Sequence, residues 1–144
     1  MSAARRPTIM EKVANQYRED GFAGPINVLS QAEVAQALRD VKNELSKDDG
    51  ARFKLHLILP SVDKIVHNSI LLDAVRQALG KGSSDDILLW SSDVNTKYAK
   101  SRGFFAPHQD GAFAGLQPSS CVLTAWIALT DPVGETEVSG HVNL

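Results

Sequence analysis

The apolar residues of this chain change period once. In three stretches between residues 8 and 80 they recur every three or four positions; from residue 87 they cluster in short β-branched and aromatic runs. "TIMEKVANQYRED" (8–20) puts Ile9, Val13 and Tyr17 on one stripe, and Val34, Ala37, Leu38, Val41 and Leu45 form a second. Both stripes fit a helix of 3.6 residues per turn that buries one face. "ILLWSSDVNTKYA" (87–99) and "SCVLTAWIAL" (120–129) read instead as strands bounded by turn residues. Helices first and strands after is not the alternation that builds a parallel βαβ sheet, so an α+β arrangement is predicted.

Local signals mark where the elements begin and end. Thr8 can cap the first helix, and Gly21 can stop it in the left-handed conformation that costs glycine little. Ser30 and Glu33 make an S-x-x-E capping box ahead of the second stripe. Ser69 is expected to cap a further helix, with Ile70, Leu71, Ala74, Val75 and Ala78 inward and Gly80 past its end. "FAGPINVL" reads as extended, broken by Gly24 and Pro25. With 144 residues and no repeat, one domain over 1–144 is expected. It divides into a helical front (8–80), a sheet region (86–131) and a divergent tail (132–144).

Composition removes several function classes. The formal net charge is −2 and the basic residues are scattered, so no nucleic-acid footprint is present. No apolar run reaches the length that spans a bilayer, and no membrane partner is expected. Cys121 is the single cysteine, and "MSAARRPTIMEKV" lacks the apolar core of a secretory signal. A reducing, cytoplasmic setting is the expectation.

The chemistry concentrates in "FFAPHQDGAFAGLQPSSCVLTAWIAL" (104–129). His108 and Asp110 are two apart, and on a strand such residues share a face. An imidazole and a carboxylate on one face can reach one metal ion; a second His would complete the facial triad of non-haem Fe(II) oxygenases. A tripeptide is a short signal, and a solvated loop His beside an Asp is the plain alternative. For His56 and His67 a surface or hydrogen-bonded core role is favoured.

The wider block "LLWSSDVNTKYAKSRGFFAPHQDGAFAGLQPSSCVLTAWIALTD" (88–131) resembles the phytanoyl-CoA dioxygenase family. "YREDGF", "VLSQAEV" and "ILLDAVRQALG" resemble the family's front half, so the likeness covers most of 13–131. The resemblance implies an Fe(II)- and 2-oxoglutarate-dependent oxygenase that hydroxylates a small-molecule or acyl-CoA-like substrate, with ascorbate as an accessory reductant. It implies the double-stranded β-helix, a jelly-roll, cupin-like barrel. It makes His108 and Asp110 the first two iron ligands. An Asp here, rather than the Gly or Ala of related halogenases, resembles a hydroxylase. It sets Trp126, Lys54, Asp93 and Gln109 around the co-substrate, though Trp126 also suits a core strand and the match at Lys54 is loose. Lys97 faces either the site or a solvated strand edge.

The family pattern continues with N-G-C-L and P-G-S-H stretches, then a distal His and an Arg that pairs with 2-oxoglutarate. This chain reads "TDPVGETEVSGHVNL" instead, with no Arg after Arg102. His141 comes too soon after His108 to match the distal ligand. The expectation is therefore an incomplete barrel, truncated before the distal His and Arg and inactive as it stands. The alternatives are a non-catalytic product that binds a partner through an uncovered sheet edge, or a cupin-like module that binds metal without oxygenase chemistry.

Overall fold

The computed structural model describes residues 7–47, 52–97, 108, 110–130 and 139–143. The helical front forms from its capping signals. In α1 (Ile9–Asp20) the Thr8 Oγ1 accepts the Glu11 amide N–H at 3.2 Å, and the Glu11 carboxylate accepts the Thr8 amide N–H at 2.6 Å. Gly21, at φ +78°, ends the helix in the left-handed region. The expected box opens α2 (Gln31–Lys47): Ser30 N–H donates to Glu33 Oε2 at 2.7 Å, and Glu33 N–H donates to Ser30 Oγ at 3.3 Å.

Two short elements follow that periodicity did not reveal. A 3₁₀ turn, Leu55–Leu57, leads into α3 (Pro60–Val66), whose Pro60 stands where its missing N–H costs nothing. Asn68, rather than Ser69, caps α4 (Ser69–Ala78): its Oδ1 accepts the Leu71 amide at 3.1 Å. The Asn68 amide nitrogen also donates to the Val28 carbonyl at 2.9 Å, tying α4 to the extended 22–29 stretch. Serine offers one short hydroxyl; asparagine reaches both ways.

The strands are shorter than expected. Of 87–99 only β1 (Asp93–Lys97) is a strand, and residues 86–92 run on without a ladder. Of 120–129 only β2 (Trp126–Ala128) is, preceded by a 3₁₀ turn at Ser119–Cys121. Between them lies α5 (Asp110–Ala114). A third strand, β3 (Ser139–Asn143), falls in the tail where none was expected, and it takes the middle of the sheet. It pairs antiparallel with both neighbours, Val142 standing opposite Val94 on one side and Ile127 on the other.

The core is the layer between helices and sheet. Ala37 and Val41 of α2, Val62 and Ile65 of α3 and Leu71 of α4 meet Val94 and Ile127. Alternation explains the sheet's part: Ser92 and Val94 are buried, as are Ile127 and Leu129. The intervening residues turn to the other face. Ile9 and Ile70, expected inward, are exposed because they fall at the edges of their stripes. The chain thus mixes helices and strands as predicted. No helix among the described residues is long and apolar enough to cross a membrane.

Candidate metal centre

His108 and Asp110 do come together, by a different route from the one expected. Asp110 is the first residue of α5, not a strand position. His108 Nε2 and Asp110 Oδ1 are 3.0 Å apart, with both side chains about half exposed. Thr124 donates its hydroxyl to the other carboxylate oxygen, Oδ2, at 2.6 Å. Both oxygens of Asp110 are thereby oriented, one by Thr124 and one toward His108.

A 3.0 Å contact is an ordinary hydrogen bond or ion pair. It is also the spacing of two adjacent donors on one ion, since ligands about 2.1 Å from an octahedral cation at right angles stand about 3.0 Å apart. The donor chemistry fits iron(II), which accepts imidazole and carboxylate together. A facial triad needs three donors, and an imidazole and a carboxylate are two of the kinds it uses. Among the described residues no group of three His, Cys, Asp or Glu side chains converges.

The pair opens on a cleft of about 2050 Å³. Its polar wall includes Asp93, Asn95, Thr124 and Trp126. Register explains this grouping. Asp93 and Trp126 both stand opposite Asn143, so across three strands they occupy one row, and residues facing each other on a ladder share a face. Asp93 Oδ1 accepts the Ser91 hydroxyl at 2.5 Å, which fixes its carboxylate at the start of β1. Elsewhere the wall is mostly apolar, from Leu71 and Val75 on α4 to Leu89 and Trp90 ahead of β1 and Phe113 on α5, with His56, Arg76, Lys81 and Asp86 among its polar residues.

Other residues singled out in the sequence stand elsewhere. Lys54 is exposed, is absent from the described cleft wall, and takes a left-handed conformation at φ +55° before the 3₁₀ turn. Gln109 lies outside the described residues. Lys97 ends β1 opposite Ser139. His141 is paired through the backbone with Asn95 and Ala128.

His67 Nδ1 stands 2.9 Å from the Asp63 carbonyl oxygen, as suits a helix-end histidine. His56 lines the cleft, with its Nδ1 2.6 Å from the hydroxyl of buried Ser92. Sequence reasoning missed Thr124, Asn95 and the His56–Ser92 contact. Thr124 could have been found, because it lies two residues before Trp126 and so on the same face. Nothing in the spacing joins His56 to Ser92.

A mixed helix-and-strand chain with an imidazole–carboxylate pair at the mouth of a largely apolar cleft has the makings of an oxygenase. The phytanoyl-CoA dioxygenase (PhyH) family model matches residues 17–133, and the chain belongs to that family. No curated protein and no solved structure matches it significantly. Membership carries an oxygenase-type activity, in a family that generally uses Fe(II) and 2-oxoglutarate.

Proposed function

We propose that this chain carries the metal-binding part of an Fe(II)- and 2-oxoglutarate-dependent dioxygenase that hydroxylates a small-molecule or acyl substrate. The observation that carries the reading is the convergence of His108 Nε2 and Asp110 Oδ1 at 3.0 Å on the cleft. Their spacing matches adjacent sites on one octahedral ion, as derived above. Family membership supplies the reaction type.

When bound, iron and 2-oxoglutarate supply the oxidising power: O₂ converts 2-oxoglutarate to succinate and CO₂, and one oxygen atom goes to a substrate C–H. The chain's own residues do the holding. His108 would offer a bound ion a neutral ring nitrogen and Asp110 a carboxylate oxygen, which would balance part of its charge. The Thr124 hydroxyl keeps the carboxylate from rotating, the kind of outer contact that tunes metal affinity. Trp126 and Asp93 flank the co-substrate from the facing row, and Gln109 is a further contact in this reading; Lys54, off the cleft wall, would have to reach in from outside it. Leu89, Trp90 and Phe113 give the organic part of the substrate an apolar surface to lie against. The third metal donor comes from outside the described residues.

The strands are read as the start of a double-stranded β-helix, which fits the buried-in, cleft-out alternation of β1 and β2. The lone exposed Cys121 is in keeping with the reducing cytoplasm. The test is succinate formation by the protein as its own cell makes it, purified with its intact mass recorded. Fe(II)-dependent conversion of 2-oxoglutarate, abolished in Asp110→Ala, is expected. Metal binding without any succinate would replace this reading with that of a cupin-like metal module.

A further inference from the structure

The His56–Ser92 contact determines which ring nitrogen of His56 faces the cleft. Ser92 is fully buried. Its Oγ accepts the backbone N–H of His56 at 3.1 Å and stands 2.6 Å from His56 Nδ1. A hydroxyl has one proton, and leaving that proton without an acceptor in a buried site is costly. Among the described residues the acceptor within reach is Nδ1. Ser92 O–H therefore donates to Nδ1, and the neutral ring carries its own proton on Nε2.

Nε2–H has no hydrogen-bond partner among the described residues, and the ring is part of the cleft wall. The ring is pinned at one side by a buried group, so its free donor is aimed rather than mobile. We propose that His56 is a substrate-binding residue whose Nε2–H hydrogen-bonds a carbonyl or carboxylate oxygen of the molecule in the cleft, with Ser92 as the positioning residue that fixes its tautomer. A neutral N–H donor selects an acceptor oxygen. The mostly apolar lining, Leu71, Leu89 and Trp90 among it, favours a molecule that joins that oxygen to an apolar part. The inference rests on the oxygenase reading only in treating the cleft as the substrate's place.

Octanoate, an acceptor group on a short apolar chain, is the probe. On the full-length protein, long-range ¹H–¹⁵N spectra are expected to show His56 protonated at Nε2 and not at Nδ1, with Nε2 shifting on addition of octanoate. His56→Phe, which keeps a ring and removes both nitrogens, should weaken octanoate binding about tenfold, the worth of one hydrogen bond to a charged group. His56→Gln, which restores an N–H at similar reach, should recover most of that loss, and Ser92→Ala should return a mixture of tautomers. Thermal unfolding of each variant separates loss of binding from loss of fold. An Nδ1–H tautomer, equal affinity in His56→Phe, or no octanoate binding by the parent protein would each overturn the proposal. Succinate formation is scored separately: octanoate binding that depends on His56 in a protein that never consumes 2-oxoglutarate upholds this inference and removes the oxygenase reading. Turnover with an unaffected His56→Phe does the reverse.

Discussion

The Thr124 hydroxyl holds the Oδ2 of Asp110 at 2.6 Å, joining the residue two before β2 to the first residue of α5. The fold positions the candidate ligand through this contact, because α5 is a single short turn of helix with no buried residue of its own. Thr124→Val keeps the shape of the side chain and removes the donor. Its affinity for Mn(II), an oxidation-resistant stand-in for iron, should fall by about tenfold or more, as for other outer-contact losses, while Thr124→Ser should stay close to the parent. Equilibrium dialysis of the three proteins reads this directly.

Removing the donors themselves should cost binding but little stability. The His108 and Asp110 side chains are 54% and 46% exposed, so neither fills a core. His108→Ala and Asp110→Ala should each abolish stoichiometric Mn(II) binding while urea unfolding changes by no more than about 0.5 kcal/mol. A large fall in stability in either variant would mark the pair as a structural contact.

Lys54 separates strain from function. Its left-handed backbone costs a side-chain-bearing residue about 1–2 kcal/mol, and glycine is free of that cost but loses more chain entropy on folding. Lys54→Gly should therefore unfold within about 1 kcal/mol of the parent, on the stable side. If the ammonium approaches 2-oxoglutarate, the same variant raises the KM for 2-oxoglutarate. If it is only a surface lysine, KM is unchanged.

Acid should act first on α2. The Ser30 hydroxyl, then the Ser30 amide, holds the Glu33 carboxyl below its ordinary 4.5. Asp40 is held below its ordinary 3.8 by the Ser61 hydroxyl and then by Gln36. A carboxyl whose folded pKa is lowered contributes stability that is present above the unfolded value and is lost as pH falls through the folded one. Thermal unfolding should thus be flat from neutrality down to about pH 4.5 as far as Glu33 is concerned, and decline below it. In Glu33→Gln the decline should be shallower and the neutral-pH melting temperature lower.

The two-layer core makes a demand of its own. Ile65 is 2% exposed, between the helices and the sheet. Ile65→Ala should destabilise by about 2–5 kcal/mol in urea unfolding, because the deleted atoms leave a cavity that rigid neighbours cannot close. The same change at exposed Ile70 should be nearly silent.

Much of the helical front was legible because its signals are local. Thr8 with Glu11, and Ser30 with Glu33, are three residues apart, and capping depends on that spacing alone. Ala37 and Val41 fall on the expected stripe for the same reason. The sheet was legible only in part, since ladders depend on a partner elsewhere in the chain. Nothing near Asp93 or Trp126 announces that Asn143 lies between them. At the site, His108 and Asp110 were visible as a motif, yet the helical start at Asp110 was hidden by the strand-like residues around it. Contacts of long range, such as His56 with Ser92, leave no periodic trace.

The position of β3 bears on the order in which the molecule can assemble. β1 ends at Lys97 and its neighbour in the sheet begins only at Ser139, and β2 waits for the same segment. A growing chain adds about 5–20 residues per second, so the emerged helices and the first strand spend about two to eight seconds without a ladder partner. During that interval the buried face of Val94 and the helical layer beneath it are open to whatever else is nearby. Closure of the sheet is a late, long-range event, and slow loop closure rather than helix formation should set the pace at which this protein becomes safe from aggregation.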